Sequence, residues 1–170
     1  MKFKKFVKSL ASDGIIYEYG GDRWLASLSA LMLIPYTVRS VTGMSIQPMP
    51  EAIAKMISQV GCTQFATLSK ALMPEPDGGI KDCVRVFTTP DTTLSIAISN
   101  DDWSLIEKSD FCEILYSYDI DTGKPTAKAL LVKNYPFNPD DDDELVGIIF
   151  PTEYAEQMNF ATMKEVRNNG

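Results

Sequence analysis

Hydrophobic and polar residues alternate most regularly between Ile80 and Pro151, and this pattern sets the expected architecture. Leu94, Ile96 and Ile98 alternate with Thr93, Ser95, Ala97 and Ser99, the period-two pattern of a strand with one face buried. Cys112, Ile114, Tyr116, Tyr118 and Ile120 repeat it against Glu113, Ser117 and Asp119. Asp121-Thr122-Gly123-Lys124-Pro125 then supplies turn residues, and the chain returns through Ala127, Ala129 and Leu131. Upstream, Cys83 to Phe87 joins the Leu94 strand through Thr89-Pro90-Asp91, giving two antiparallel hairpins linked by a short helix. Asn100 is expected to cap that helix, with Trp103 and Ile106 turned inward. Leu145 to Phe150 is apolar without alternation and predicts a strand covered on both faces.

The remainder of the chain alternates between helix and strand signals. Phe3, Phe6, Val7 and Leu10 fall at helical spacing opposite Lys2, Lys4, Lys5 and Lys8, predicting a short amphipathic helix whose apolar stripe packs on the sheet. Ile15 to Tyr19 and Arg23 to Leu25 flank Gly20-Gly21-Asp22 as a hairpin. Residues 24–34 also fit a helix capped by Asp22, although the diglycine turn favours a strand. Tyr36 to Pro48 reads as a loop. Ile53, Met56, Ile57 and Val60 form a helical stripe between Pro50 and Gly61 that packs on a sheet face. Residues 63–72 fit helix or strand alike, and Met73 to Gly79 is a loop. A closing helix is expected from Thr152 through Ala161, with Arg167 to Gly170 frayed. Together these elements predict an α+β fold spanning 1–170 as one domain, an antiparallel sheet of six to eight strands with helices packed against it. Glu18 alone guards the Ile15–Tyr19 strand, so the Lys2–Leu10 helix is expected to cover that edge, or the protein to self-associate through it.

Composition narrows the chemistry. The 170 residues contain no histidine, which excludes Ser-His-Asp and Cys-His catalysis, histidine metal sites and histidine pH switching. Cys62, Cys83 and Cys112 are odd in number and widely spaced, so neither a disulfide framework nor a zinc knuckle is expected. Gly20-Gly21 and Gly78-Gly79 lack the residues that complete a phosphate-binding loop, and no cofactor is implied. No apolar run spans a bilayer and no leader pattern follows Met1 to Lys8, so the expected location is the cytoplasm, away from membranes.

Sixteen basic residues stand against 23 acidic ones, a net charge of −7 that repels a phosphate backbone unless a basic patch overrides it. Asp140, Asp141, Asp142, Asp143 and Glu144 concentrate that charge. Consecutive acids lack the spacing and glycine turn of a calcium loop, so the run reads as a solvated, self-repelling segment. Asp119-x-Asp121-x-Gly123 opens like a calcium loop, but Lys124 stands where glycine belongs, and it reads as a hairpin turn.

Asp13-Gly14, the tyrosine-rich strand, Gly21 to Leu25 and the ending Glu144 to Pro151 resemble small uncharacterised proteins of bacteriophages and mobile elements. The strand-rich order, with a closing strand followed by proline, also resembles one domain of a DNA sliding clamp, a likeness that implies fold alone. The resulting expectation is a non-enzymatic accessory protein whose acidic surface, Asp140 to Glu144, binds a basic protein partner. The alternative is a clamp-like DNA-associated module using Lys2, Lys4, Lys5 and Lys8 with Arg23 or Arg39, and an enzyme of unrecognised type ranks third.

Overall fold

The computed structural model describes residues 1–10, 13–41, 43–58, 62–73, 83–136, 138–152 and 164–166. The elements are α1 (Phe3–Leu10), β1 (Ile15–Tyr19), β2 (Asp22–Ala26), β3 (Ala30–Leu33), β4 (Ser45–Pro48), α2 (Glu51–Ser58) and β5 (Thr63–Met73). They continue as β6 (Val84–Thr88), β7 (Ser95–Ser99), α3 (Asn100–Trp103), β8 (Phe111–Tyr118), β9 (Pro125–Asn134), β10 (Glu144–Ile149) and β11 (Lys164–Val166). The strands join in the order β4-β1-β2-β3-β10-β9-β8-β5-β6-β7, with β11 paired to β5. All pairings are antiparallel except β1 with β4. The sheet is thus wider than the six to eight strands expected.

Local chemistry explains much of this order. Gly20 and Gly21 adopt φ of 63° and 91°, the left-handed pair that a two-residue hairpin turn needs to match strand twist. The turn sets Tyr19 opposite Asp22 and Tyr17 opposite Trp24. Residues 24–34 resolve into the end of β2, a turn at 27–29 and β3, and residues 63–73 into β5. The first half of β5 pairs with β8 and the second with β6, a slip at Leu68/Lys70 lying within the β6 ladder. Both predicted hairpins, β6–β7 and β8–β9, are present.

Two apolar layers hold the sheet. On one face Phe6 and Leu10 of α1 join Ile16, Leu25, Met32, Ile114, Leu130, Val132 and Ile149. Phe87, Ile96 and Ile98 belong to the same cluster, so the β6–β7 end curls over this face and doubles the layer. On the other face Trp24, Ala26, Leu31, Leu131 and Ile148 meet Ile53, Met56 and Ile57 of α2. Strand β10 lies between β3 and β9, with Ile148 and Ile149 fully buried on opposite faces, as its unbroken apolar run predicts.

Several expectations are corrected. Tyr36 to Pro48 is not all loop: Ser45–Pro48 forms β4, whose backbone pairs with β1 although all four residues are exposed. Pairing without burial leaves no hydrophobic period to read. Strand β1 therefore has neighbours on both sides, and α1 packs on a sheet face instead of covering that edge. Ser99, not Asn100, caps α3: its side chain accepts from the Asp102 amide. The alternation through Tyr118 and Ile120 outruns the core, leaving them 60% and 99% exposed beyond a register shift at Leu115/Tyr116. Gly61, Pro74 to Gly79 of the expected loop, the closing helix expected after Thr152 and Arg167 to Gly170 lie outside the described residues.

The β8–β9 turn is held by Asp119. Its Oδ1 accepts from the Thr122 amide at 2.7 Å, the Thr122 hydroxyl at 2.9 Å and the Asp121 amide at 3.1 Å. These bonds, the Thr122 amide first, hold its carboxyl below the ordinary carboxylate value. Because the folded value is the lower one, the stabilisation is present above the unfolded pKa and is lost as pH falls through the folded pKa. Following Asp119 by NMR, Thr122→Ala is expected to raise its titration midpoint, and an unchanged midpoint would show that the amides alone set it.

Candidate functional site

Acidic side chains gather with other polar groups at two places on the described surface. The first lies where α1 meets α3. Asp102, 6% exposed, accepts from Ser99 Oγ at 2.7 Å and Ser29 Oγ at 3.1 Å. Nearby, Lys5 Nζ donates to Ser104 Oγ at 2.7 Å, and Lys2 Nζ donates to the Ser104 carbonyl at 2.9 Å. A Ser–Lys pair invites a nucleophilic reading, but that chemistry needs a lysine able to take the serine proton. Lys5 is exposed and acts as donor, while the Ser104 hydroxyl gives its own hydrogen to the Asp101 carbonyl. Ser99 Oγ accepts from the Asp102 amide as the cap of α3 and donates to Asp102 Oδ2. This cluster ties α3 to α1 and to the β2–β3 turn.

The second place is a hollow of about 730 Å³ on the α2 face of the sheet, within the size range of small-ligand clefts. Asp22 and Trp24 reach it from β2, where period two puts them on one face, and Leu33 and Tyr36 come from β3 and the chain beyond it. Ile57 contributes from α2, Asp142 and Asp143 close it from the β9–β10 connection, and Glu144 and Leu145 from the start of β10. Four carboxylates therefore border one depression. The single lysine among its walls, Lys133, has its Nζ 2.8 Å from Glu113 Oε2.

Of the predicted acidic residues, the structure brings Asp142, Asp143 and Glu144 to this hollow, whereas Asp140 and Asp141 lie on exposed surface outside its walls. Asn138 Nδ2 donates to Asp141 Oδ2 at 3.1 Å, holding the start of the run in a bend. Asp22, Trp24 and Tyr36 belong to the site but not to the predicted set; more than a hundred residues separate them from the acidic run, so no local motif joins them. Among the described residues, no three Cys, Asp or Glu side chains are grouped so as to hold a metal ion.

Trp24 is the unusual wall. It is 3% exposed and its indole Nε1 has no hydrogen-bond partner, in a fold where nearly every buried donor is expected to find one. Tyr36 is its opposite, 88% exposed.

Lys2, just before α1, and Lys4, Lys5 and Lys8 within it are exposed and lie apart from the hollow. Cys112 is buried, which pushes its thiol up to about 12, with the Asp110 charge adding to the effect, so it belongs to the core and not to a reactive site. No helix among the described residues is long and apolar enough to cross a membrane. Comparison of the chain with protein-family models, curated proteins and solved structures finds no match.

Proposed function

We propose that this protein is a non-enzymatic accessory protein that binds a basic protein partner through the acidic hollow. The observation that carries the reading is the gathering of Asp22, Asp142, Asp143 and Glu144 around one depression whose single lysine is already engaged by Glu113. Such a site attracts cations locally, and the net charge of −7 extends the attraction to an approaching basic partner. The accessory role accords with the resemblance to small phage and mobile-element proteins.

The test is titration with basic and acidic peptides of equal length. Basic peptides are expected to bind, and more weakly as salt screens the charges. Asp142→Lys with Asp143→Lys puts like charges against the ligand and is expected to weaken binding on the order of a hundredfold. Both positions are exposed, so far-UV circular dichroism should be unchanged. Absence of binding to any basic peptide at low salt, or affinity indifferent to the reversal, overturns the proposal.

The exposed lysine side of α1 supports a second reading as a DNA-associated module. It predicts a gel shift at low salt that Lys4→Glu with Lys8→Glu abolishes. No retardation of the unaltered protein rejects it.

A further inference from the structure

We propose that a different hollow, where β7 curls back beside β9, is a binding site for a sugar acid, a compact hydroxyl-rich ring carrying one carboxylate. β7 ends the strand order, and the curl of the β6–β7 end sets it next to β9. The space there is about 640 Å³, within the range of small-ligand clefts, and Val86, Ala97, Ala127 and Pro151 give it apolar walls. It shares no lining residue with the acidic hollow, so the inference does not rest on the reading given under Proposed function.

The polar walls have a fixed direction. Ser69 Oγ donates to the Val86 carbonyl at 3.0 Å, which uses its one hydrogen, so in the 3.0 Å contact between Ser69 Oγ and Thr88 Oγ1 the threonine is the donor. The Thr88 hydrogen is then spent, and across the 3.2 Å contact with Ser95 Oγ the serine donates. The chain of hydroxyls therefore begins at exposed Ser95, whose oxygen is left as an acceptor and is strengthened in that role by the bonds it feeds. Lys70 shares the sheet face of Val86 by register and is the one charged residue in the walls. The ion pairs among the described residues do not engage it. In a chain of net charge −7, this hollow thus carries a single positive charge, which selects an anion and matches one carboxylate. A ligand hydroxyl both gives and accepts, so a ring bearing several can serve the Ser95 acceptor and the Lys70 donors together.

Thr92 is an independent sign. It lines the hollow at φ 58°, the one positive value outside glycine among the described residues, where a β-branched side chain is strained. The side-chain bonds that hold this turn run through Thr89, Asp91 and Thr93, not through the Thr92 hydroxyl. Strain kept at a side chain the turn does not use points to a use outside the turn.

The probes are glucuronate, glucose, which lacks the charge, and cyclohexanecarboxylate, which lacks the hydroxyls, each titrated into the full chain at low salt and followed by calorimetry and amide NMR. Glucuronate is expected to bind in the millimolar range, about tenfold more tightly than the other two, and to shift the amides of Thr92, Ser95 and Thr126. Lys70→Gln should reduce glucuronate to the affinity of glucose, and Ser95→Ala should weaken it about fivefold. Thr92→Gly relieves the strain and deletes the hydroxyl, so the thermal midpoint is expected to rise while glucuronate affinity falls, a combination that a purely structural role does not produce. Equal affinity for glucuronate and glucose overturns the selection of an acid by Lys70. Equal affinity for glucuronate and cyclohexanecarboxylate overturns the part given to the hydroxyls. Glucuronate that leaves these three amides unshifted overturns the site, while the acidic hollow keeps its own test.

Discussion

Leu130→Ala is expected to lower the free energy of unfolding by about 2–5 kcal/mol. Leu130 is 0% exposed near the middle of β9, opposite Ile114 of β8 and Ile149 of β10, both also 0% exposed. It belongs to the layer shared by α1, the sheet and the curled β6–β7 end, so the lost methyl groups face packing from several elements at once. A strand bonded on both sides cannot move easily to refill the space, which favours the upper part of that range. Against a whole-domain stability of about 5–15 kcal/mol, the loss is large. Ile120→Ala is the control, because Ile120 is 99% exposed in the β8–β9 turn and its truncation is expected to cost less than about 0.5 kcal/mol. Urea unfolding of the two variants measures both quantities. Equal midpoints would show that the layer around Leu130 is not the principal core.

Asp110→Asn is expected to cost about 1.5–3 kcal/mol, because it removes the charged acceptor of the hydrogen-bonded Met1 ammonium. The Met1 amino group lies 2.9 Å from Asp110 Oδ2, and both side chains are 1% exposed. The same carboxylate oxygen accepts from the Glu107 amide at 2.7 Å, so the pair also fixes the turn leading into β8. Gly147 completes the arrangement: a Cβ there would overlap Met1 Sδ and lie 3.1 Å from the Leu31 carbonyl. Gly147→Val therefore displaces Met1 and weakens the same ion pair from the opposite side. The two substitutions share one interaction, so the double variant is expected to be destabilised by less than the sum of the singles. Full additivity in equilibrium unfolding would show that Gly147 acts without reference to the pair.

The strands that are buried on one or both faces could be recognised from local residue order, because burial on one face imposes a period and burial on both leaves an unbroken apolar run. β7, β8, β10 and the stripes of α1 and α2 are of this kind. The diglycine of the first hairpin was equally legible, since two consecutive positive φ angles call for glycine. Where burial and backbone pairing part company, the signal fails. β4 pairs through its backbone with all four side chains in solvent, so its sequence has no hydrophobic period. β5 allowed helix or strand because it changes partners along its length and slips register at Leu68/Lys70.

The acidic run was visible in the sequence as charge, and the missing histidine fixed which catalytic chemistries were closed to the chain. What neither could supply was company for the acids. Asp22 and Trp24 share a strand face by period two, but they meet Asp142 to Glu144 because β3 pairs with β10 and carries the β2 edge toward the β9–β10 connection. The lone indole N–H of Trp24 exists only once the strands around it are packed, because partnership is a property of neighbours brought from distant parts of the chain. Residue order alone determined the local periods, the turns and the charge; the sheet order, which is set by long-range pairing, decided which of those charges surround a common space.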